Sequence, residues 1–178
     1  MGNFKEDIAR TEAMVFDVDG VFTDGGITPT ADGDFLREYN TKDGFVIRYA
    51  IKQGLPIFII TGGKGNNIER RFTDLGVTRI YKNADDKITN LKQIIADYGY
   101  NRENIIFMGD DAPDVECMKY VGIPVCPADA VSDVLDVARY VSEFNGGRGC
   151  VRDIVEQVLR SQGKWVKYSD GVDGIRSE

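Results

Sequence analysis

Asp17 and Asp19 stand one residue apart at the end of the apolar run Met14-Val15-Phe16, and Gly20 follows at once. An apolar stretch that closes in two carboxylates and a glycine reads as a buried strand delivering acids to its C-terminal edge, where open α/β sheets bind ligands. In extended backbone residues i and i+2 share a side, so both acids can face one small site. Carboxylates that close repel, which raises one pKa unless a cation holds them. A divalent ion such as Mg²⁺, which takes oxygen ligands, resolves that repulsion. A second acid cluster, Gly109-Asp110-Asp111-Ala112-Pro113-Asp114, ends a later apolar run, and Thr61-Gly62-Gly63-Lys64-Gly65 follows another. Strand, Gly-rich turn and helix form a phosphate-cradle context. Lys87 falls in the first turn of a helix after Asp85-Asp86, where the dipole disfavours a cation by about 0.3–1 kcal/mol, which suggests an anionic ligand.

Each of these residues has a plainer reading. Asp17 to Gly20 could be an Asx-type turn closing a strand, Thr61 the N-cap of the next helix, and Lys87 the partner of Asp85 or Asp86. An EF-hand fails, because Gly20 comes fourth in the run and Val21 stands where an acid is required. Gly62-Gly63-Lys64 lacks the Walker A spacing. A receiver-type phosphoacceptor domain also gathers aspartates at strand ends; it needs the first acid without a following acid/base, so Asp19 discriminates against it.

Composition narrows the chemistry. The chain has 178 residues, enough for one domain with a sizeable core, and a net charge of -7 that argues against nucleic-acid or anionic-membrane partners. No run approaches membrane-spanning length. There is no histidine, which removes His-based triads, zinc sites and general bases together. Cys117, Cys126 and Cys150 are odd in number and widely spaced, as expected of reduced thiols used in packing in a cytosolic protein. Ser132 stands where a Cys-x5-Arg phosphatase loop beginning at Cys126 would need arginine. Carboxylates, lysine and metal are left to do the work.

The elements that must position these residues can be traced in order. A strand over Ala13 to Val18 leads to a projecting β-hairpin at about 25–39, turning at Asp32-Gly33. An apolar-periodic helix through Phe45, Ile47, Tyr49 and Ile51 stops at Gly54. Next come a strand over Leu55 to Ile60, a helix over Asn66 to Leu75, a strand near Arg79 to Tyr81, a helix from about Asp86 to Tyr98 and a strand over Asn104 to Met108. A short helix, a strand around Ile123 to Val125, a helix through Val131 to Val137, a strand at Tyr140-Val141 and a helix over Val151 to Ser161 complete the regular part. Met1 to Arg10 is polar, and 165–178 reads as a mobile tail beyond a single domain at 1–164. Alternating strands and helices imply α/β architecture with a doubly wound parallel sheet, Rossmann-like.

In order and spacing, Phe16-Asp17-Val18-Asp19-Gly20-Val21, Ile60-Thr61-Gly62, Lys87 and Gly109-Asp110-Asp111-Ala112-Pro113-Asp114 resemble the four motifs of the haloacid dehalogenase superfamily of phosphatases. Within it, Asn40-Thr41-Lys42-Asp43-Gly44, Arg71 in its helix, and Gly146-Gly147-Arg148-Gly149-Cys150-Val151-Arg152 with Gln162-Gly163-Lys164 resemble the 3-deoxy-D-manno-octulosonate 8-phosphate phosphatases. The resemblance implies Asp17 as nucleophile, Asp19 as acid/base, and Mg²⁺ held by Asp17, the Asp19 carbonyl and Asp110, supported by Asp111 or Asp114. It implies Thr61, the Gly62 and Gly63 amides and Lys87 around the phosphoryl group. Thr41, Lys42, Asp43, Gly44, Arg48, Gly63, Arg71 and Arg148 become candidates for a sugar acid bearing carboxylate and phosphate.

Hairpin and helix already fill the stretch from Asp19 to Thr61, and one helix and strand fill Thr61 to Lys87, so no cap domain fits. Members of the resembled family are cytoplasmic tetramers of lipopolysaccharide sugar-acid biosynthesis, in which hairpins form a barrel and a neighbour lines the pocket. Many carry arginine where this chain has Gly63, with Lys64 a possible substitute; a related phosphatase of nine-carbon sugar acids often has an acid there. A nine-carbon 9-phosphate remains an alternative substrate, and a non-hydrolysing phosphoacceptor or metal-binding regulatory domain an alternative of another class.

Overall fold

The structure, a computed structural model, describes residues 3–165. Its main sheet holds β1 (Ala13–Phe16), β4 (Ile57–Ile60), β5 (Arg79–Tyr81), β6 (Ile105–Met108), β7 (Ile123–Cys126) and β8 (Tyr140–Val141), all paired in parallel in the order β5-β4-β1-β6-β7-β8. Such short strands are consistently buried in the centre because helices cover both faces, and they therefore read as continuous apolar runs rather than alternating ones. Alternation instead sorts residues between two cores. Met14 and Phe16 pack with α1 (Phe4–Ala9), α2 (Thr41–Lys52), α3 (Asn66–Asp74) and α7 (Cys150–Ser161). Ala13 and Val15 pack with α4 (Lys87–Tyr98), α5 (Val115–Tyr120) and α6 (Ser132–Leu135).

The topology fixes where a ligand can sit. The chain leaves β1 to build β4 and β5 on one side, then returns to build β6, β7 and β8 on the other. Beyond the C-terminal end of β1 lies the crevice between two outgoing directions of the sheet. Register aligns Phe16 with Ile59 and with Met108. Asp17, Thr61 and Asp110, each one or two residues beyond those positions, therefore emerge at one edge.

A separate hairpin, β2 (Thr28–Pro29) and β3 (Phe35–Leu36), projects between β1 and α2 as expected, and no cap intervenes. Two expectations are refined. The first strand ends at Phe16, since Val18 accepts turn hydrogen bonds from Val21, Phe22 and Thr23, and the helix expected through Val131 to Val137 is confined to Ser132–Leu135. The polar N-terminus forms α1, capped by Asn3; Ile8 is buried, and the buried Asp7 is paired with Arg10 and Arg139. Trp165 packs edge-on to Tyr49 at 5.2 Å, so packing reaches the boundary expected for the tail; the rest of that segment lies outside the described residues.

Candidate active site

Asp17 leaves β1 with its N–H donated to the Met108 carbonyl, which locks the residue between β1 and β6. Lys87 opens α4 and points inward, with Nζ 2.7 Å from Asp114 Oδ1 and 3.2 Å from Asp17 Oδ1. It does not pair with its sequence neighbours: Asp86 caps its own helix by accepting from Thr89 N. Asp114 is fully buried, and its other oxygen accepts from the N–H groups of Asp110 and Asp111 at 3.1 and 3.4 Å. Both Asp114 oxygens are thus committed, and the residue ties Lys87 to the acid loop. Asp111 is exposed and caps the short 3₁₀ turn that carries Asp114.

Oxygens of Asp17, Asp110 and Asp114 lie within 4.8 Å of one another. Asp110 Oδ1 is buried without a hydrogen-bond partner, and Asp17 Oδ1, equally buried, has only its ion pair with Lys87. Burial, then the charge of Asp114, raises the Asp17 pKa to about 7; burial, then the charge of Asp17, raises that of Asp110 to about 8. Burial works against the charge of Lys87, but Asp17 and Asp114 outweigh it and raise its pKa. One lysine does not neutralise three clustered carboxylates. The remaining deficit is a positive charge with room for oxygen ligands.

Asp19 sits on the turn after Asp17, half-buried, and both its oxygens are held by Arg37 from just beyond β3. Arg37 is not among the residues that the sequence singles out. Thr61 is buried and does not cap α3, whose N-cap is Gly65; its Oγ1 accepts instead from Gly63 N at 3.0 Å. That leaves Gly62, exposed with open space around it, as the more available amide of the turn.

The candidate sugar-binding residues separate into groups. Thr41 lies with Tyr39, Asn40, Asp24 and Arg148 around a polar cavity of about 250 Å³ at the hairpin base. Arg71 lies 5.5 Å from the centre of the Tyr39 ring and against the backbone of the buried Gly44. Lys42 is exposed, and Arg48 donates to the Asp74 carbonyl at the end of α3. Asp43 is buried with Oδ1 accepting from Arg152 N in the first turn of α7. The Gly146-Gly147 stretch clamps the Asp19 turn: Gly146 lies against the Gly20 carbonyl too closely for any Cβ, Gly147 N donates to Val21 O at 2.9 Å, and Cys150 Sγ donates to the same oxygen.

Comparison with known proteins places the chain in one family. Residues 64–154 match the haloacid dehalogenase-like hydrolase family. The 3-deoxy-D-manno-octulosonate 8-phosphate phosphatase of Escherichia coli K12 is 36% identical over 160 residues, covering 88% of this chain and 85% of that one. The solved structure of the Yersinia pestis phosphatase of the same name superposes with a TM-score of 0.87 at 34% identity, covering 90% and 86% of the two chains. A Moraxella catarrhalis phosphatase of that name, solved with magnesium, phosphate and KDO, superposes at 0.86 with 26% identity, covering 89% and 91%.

Proposed function

The chain belongs to the haloacid dehalogenase-like hydrolases and is a phosphatase, and we propose that it releases phosphate from 3-deoxy-D-manno-octulosonate 8-phosphate in the making of lipopolysaccharide sugar acid. The observation that carries this reading is the Asp17, Lys87, Asp110 and Asp114 cluster at the crevice beyond β1, in a chain 36% identical to a phosphatase of that substrate.

The cluster fits Mg²⁺. Asp110 Oδ1, buried without a hydrogen bond, and Asp17 Oδ1, buried with only the Lys87 ammonium beside it, are hard donors of the kind that ion takes. These two carboxylates would hold it together with the Asp19 carbonyl, while Asp114, already committed to Lys87 and two backbone amides, would orient the loop. When bound, the ion supplies positive charge against the phosphoryl oxygens and the nucleophile.

Asp17 attacks phosphorus, forming an aspartyl phosphate as the ester P–O bond breaks. Asp19 gives a proton to the departing sugar oxygen and later takes one from the water that cleaves the acyl phosphate. Lys87, the Gly62 amide and Thr61 meet the equatorial oxygens, where positioned charge does most of the catalysis of phosphoryl transfer.

A reducing cytoplasm suits three cysteines that are all buried and unpaired. No helix among the described residues is long and apolar enough to cross a membrane. Exposed Ile27 and Leu36 on the hairpin support a homotetramer in which hairpins meet. Phosphate release from the octulosonate 8-phosphate, a nine-carbon 9-phosphate and neutral sugar phosphates, with Mg²⁺ or chelator, tests the reading. Turnover confined to the eight-carbon acid and abolished by chelator is expected; preference for the nine-carbon compound would move the substrate, and inactivity on all would refute it.

A further inference from the structure

Asp19 has neither oxygen free. Arg37 Nε lies 2.6 Å from Oδ1 and Nη2 lies 2.9 Å from Oδ2, a fork-to-fork pair. The Arg37 side chain is 2% exposed and that of Asp19 30%. Nη1 faces the Lys64 carbonyl at 3.2 Å, with the Phe35 carbonyl and Asn67 Oδ1 at 3.4 Å. Glycine at residue 63 eases the approach: a Cβ there would stand 3.0 Å from Asp19 Oδ2 and 3.1 Å from Arg37 Nη2, closer than side chains ordinarily come. The residue just past the hairpin's second strand thus reaches across the Gly-rich turn to hold the acid/base group.

A guanidinium stays charged at every working pH. A carboxylate gripped fork-to-fork keeps only its outer lone pairs for a leaving oxygen, so Arg37 has to loosen its hold on at least one oxygen for Asp19 to engage squarely. A buried arginine left without an anion is strongly unfavourable, so release has to be matched by a replacement. Small neutral esters offer none beyond the phosphate itself, which the Asp17 cluster takes. A sugar acid offers its own carboxylate.

We propose that Arg37 is a positioning residue that exchanges partners: in the free enzyme it holds Asp19, and on binding it passes to the substrate's carboxylate, freeing Asp19 for the leaving oxygen. The inference rests on the sugar-acid phosphatase reading above and adds to it the means by which substrate charge is read. Recognition of the carboxylate is then spent on turnover, because the interaction is realised only as the acid/base group engages. A merely structural Arg37, pinning the hairpin to Phe35, Lys64 and Asn67, would instead affect all substrates alike.

The test is steady-state kinetics on the full chain with Mg²⁺, using octulosonate 8-phosphate and a neutral aldose phosphate, for wild type, Arg37→Gln and Arg37→Lys. In wild type kcat is expected to be higher for the acid by about tenfold or more, and Arg37→Gln should bring that ratio to near unity by raising kcat on the neutral ester, whose turnover no longer waits for Arg37 to release Asp19. Lysine keeps the charge but cannot bridge both oxygens, so Arg37→Lys should give an intermediate ratio. Equal fractional losses on both esters, or a change in KM alone, would overturn the proposal. If Arg37→Gln shows no cooperative melt, Arg37→Lys decides, an unchanged kcat ratio again being fatal. Wild type inactive on the sugar acid would refute the substrate reading and this inference with it; wild type active with an unmoved ratio would refute the inference alone.

Discussion

The carboxylate of Asp110 occupies the space that a side chain on Gly20 would fill. Gly20 also has φ +85°, so glycine is needed there twice over, for backbone and for room. Gly20→Ala is therefore expected to push Asp110 out of the acid cluster. Thermal melts should show a loss of about 1–3 kcal/mol, and titration with Mg²⁺ should show weaker binding than wild type.

Asp17→Asn separates chemistry from packing. It should reduce phosphate release by roughly 10³-fold or more, as removal of a nucleophile does. In chelator the same variant should be more stable than wild type, since a neutral amide relieves burial and the repulsion from Asp114. A matched pair of activity assay and melt reads both effects, and a destabilised Asp17→Asn would contradict the charge deficit inferred for the site.

The acid cluster also sets a pH dependence. Asp17 and Asp110 titrate near 7 and 8 in the fold against 3.8 unfolded, so the native state holds the extra protons. Stability in chelator should consequently fall as pH rises from about 4 to 8. Mg²⁺ competes with those protons, so the rise in melting temperature that it causes should grow between pH 6 and 8. Differential scanning across pH with chelator or Mg²⁺ checks both signs.

Asp43 offers a control away from the acids. Burial raises its pKa to about 6, although Arg152 N donates to it, and Oδ2 has no partner. Because the folded value exceeds the unfolded one, the ionised side chain weakens the fold above about pH 6 and not below pH 4. Asp43→Asn, which keeps the acceptor for Arg152 N, should stabilise by about 1–3 kcal/mol at pH 7.5 and by little at pH 4, as urea titrations at the two pH values would show.

What could be read from the sequence was what local chemistry announces. The apolar runs ending in Asp17 and Asp110 marked strands and sheet edge together, because buried parallel strands leave no other pattern. Lys87 was conspicuous as a cation at the wrong end of a helix, and its buried pairing with Asp114 and Asp17 accounts for it. Asp114 could be named but not ranked, since only three dimensions reveal that both its oxygens are taken.

Arg37 was illegible for the opposite reason. Arginine in a strand of a projecting hairpin is ordinary solvated charge, and the partner that gives it meaning lies 18 residues away across a turn. The only local trace was Gly63, visible as an unusual residue in its position but not as the space Arg37 enters. Asn40 stood out in the sequence only as the start of the Asn40-Thr41-Lys42-Asp43-Gly44 run; its side chain caps α2 by accepting from Lys42 N while donating to the Gly147 carbonyl. Helix α1 escaped because six residues carry too little periodicity to register.

The clasp of Gly146 and Gly147 on the Asp19 turn joins the ends of the fold across more than a hundred residues. Contacts of such sequence separation form late, after the loop between them has closed. During synthesis the strands that lead to Asp17 and Asp110, and the helix that begins at Lys87, emerge well before the segment that braces the Asp19 turn. A nascent chain should thus assemble its sheet first and become competent to turn over substrate only once α7 has left the ribosome and docked.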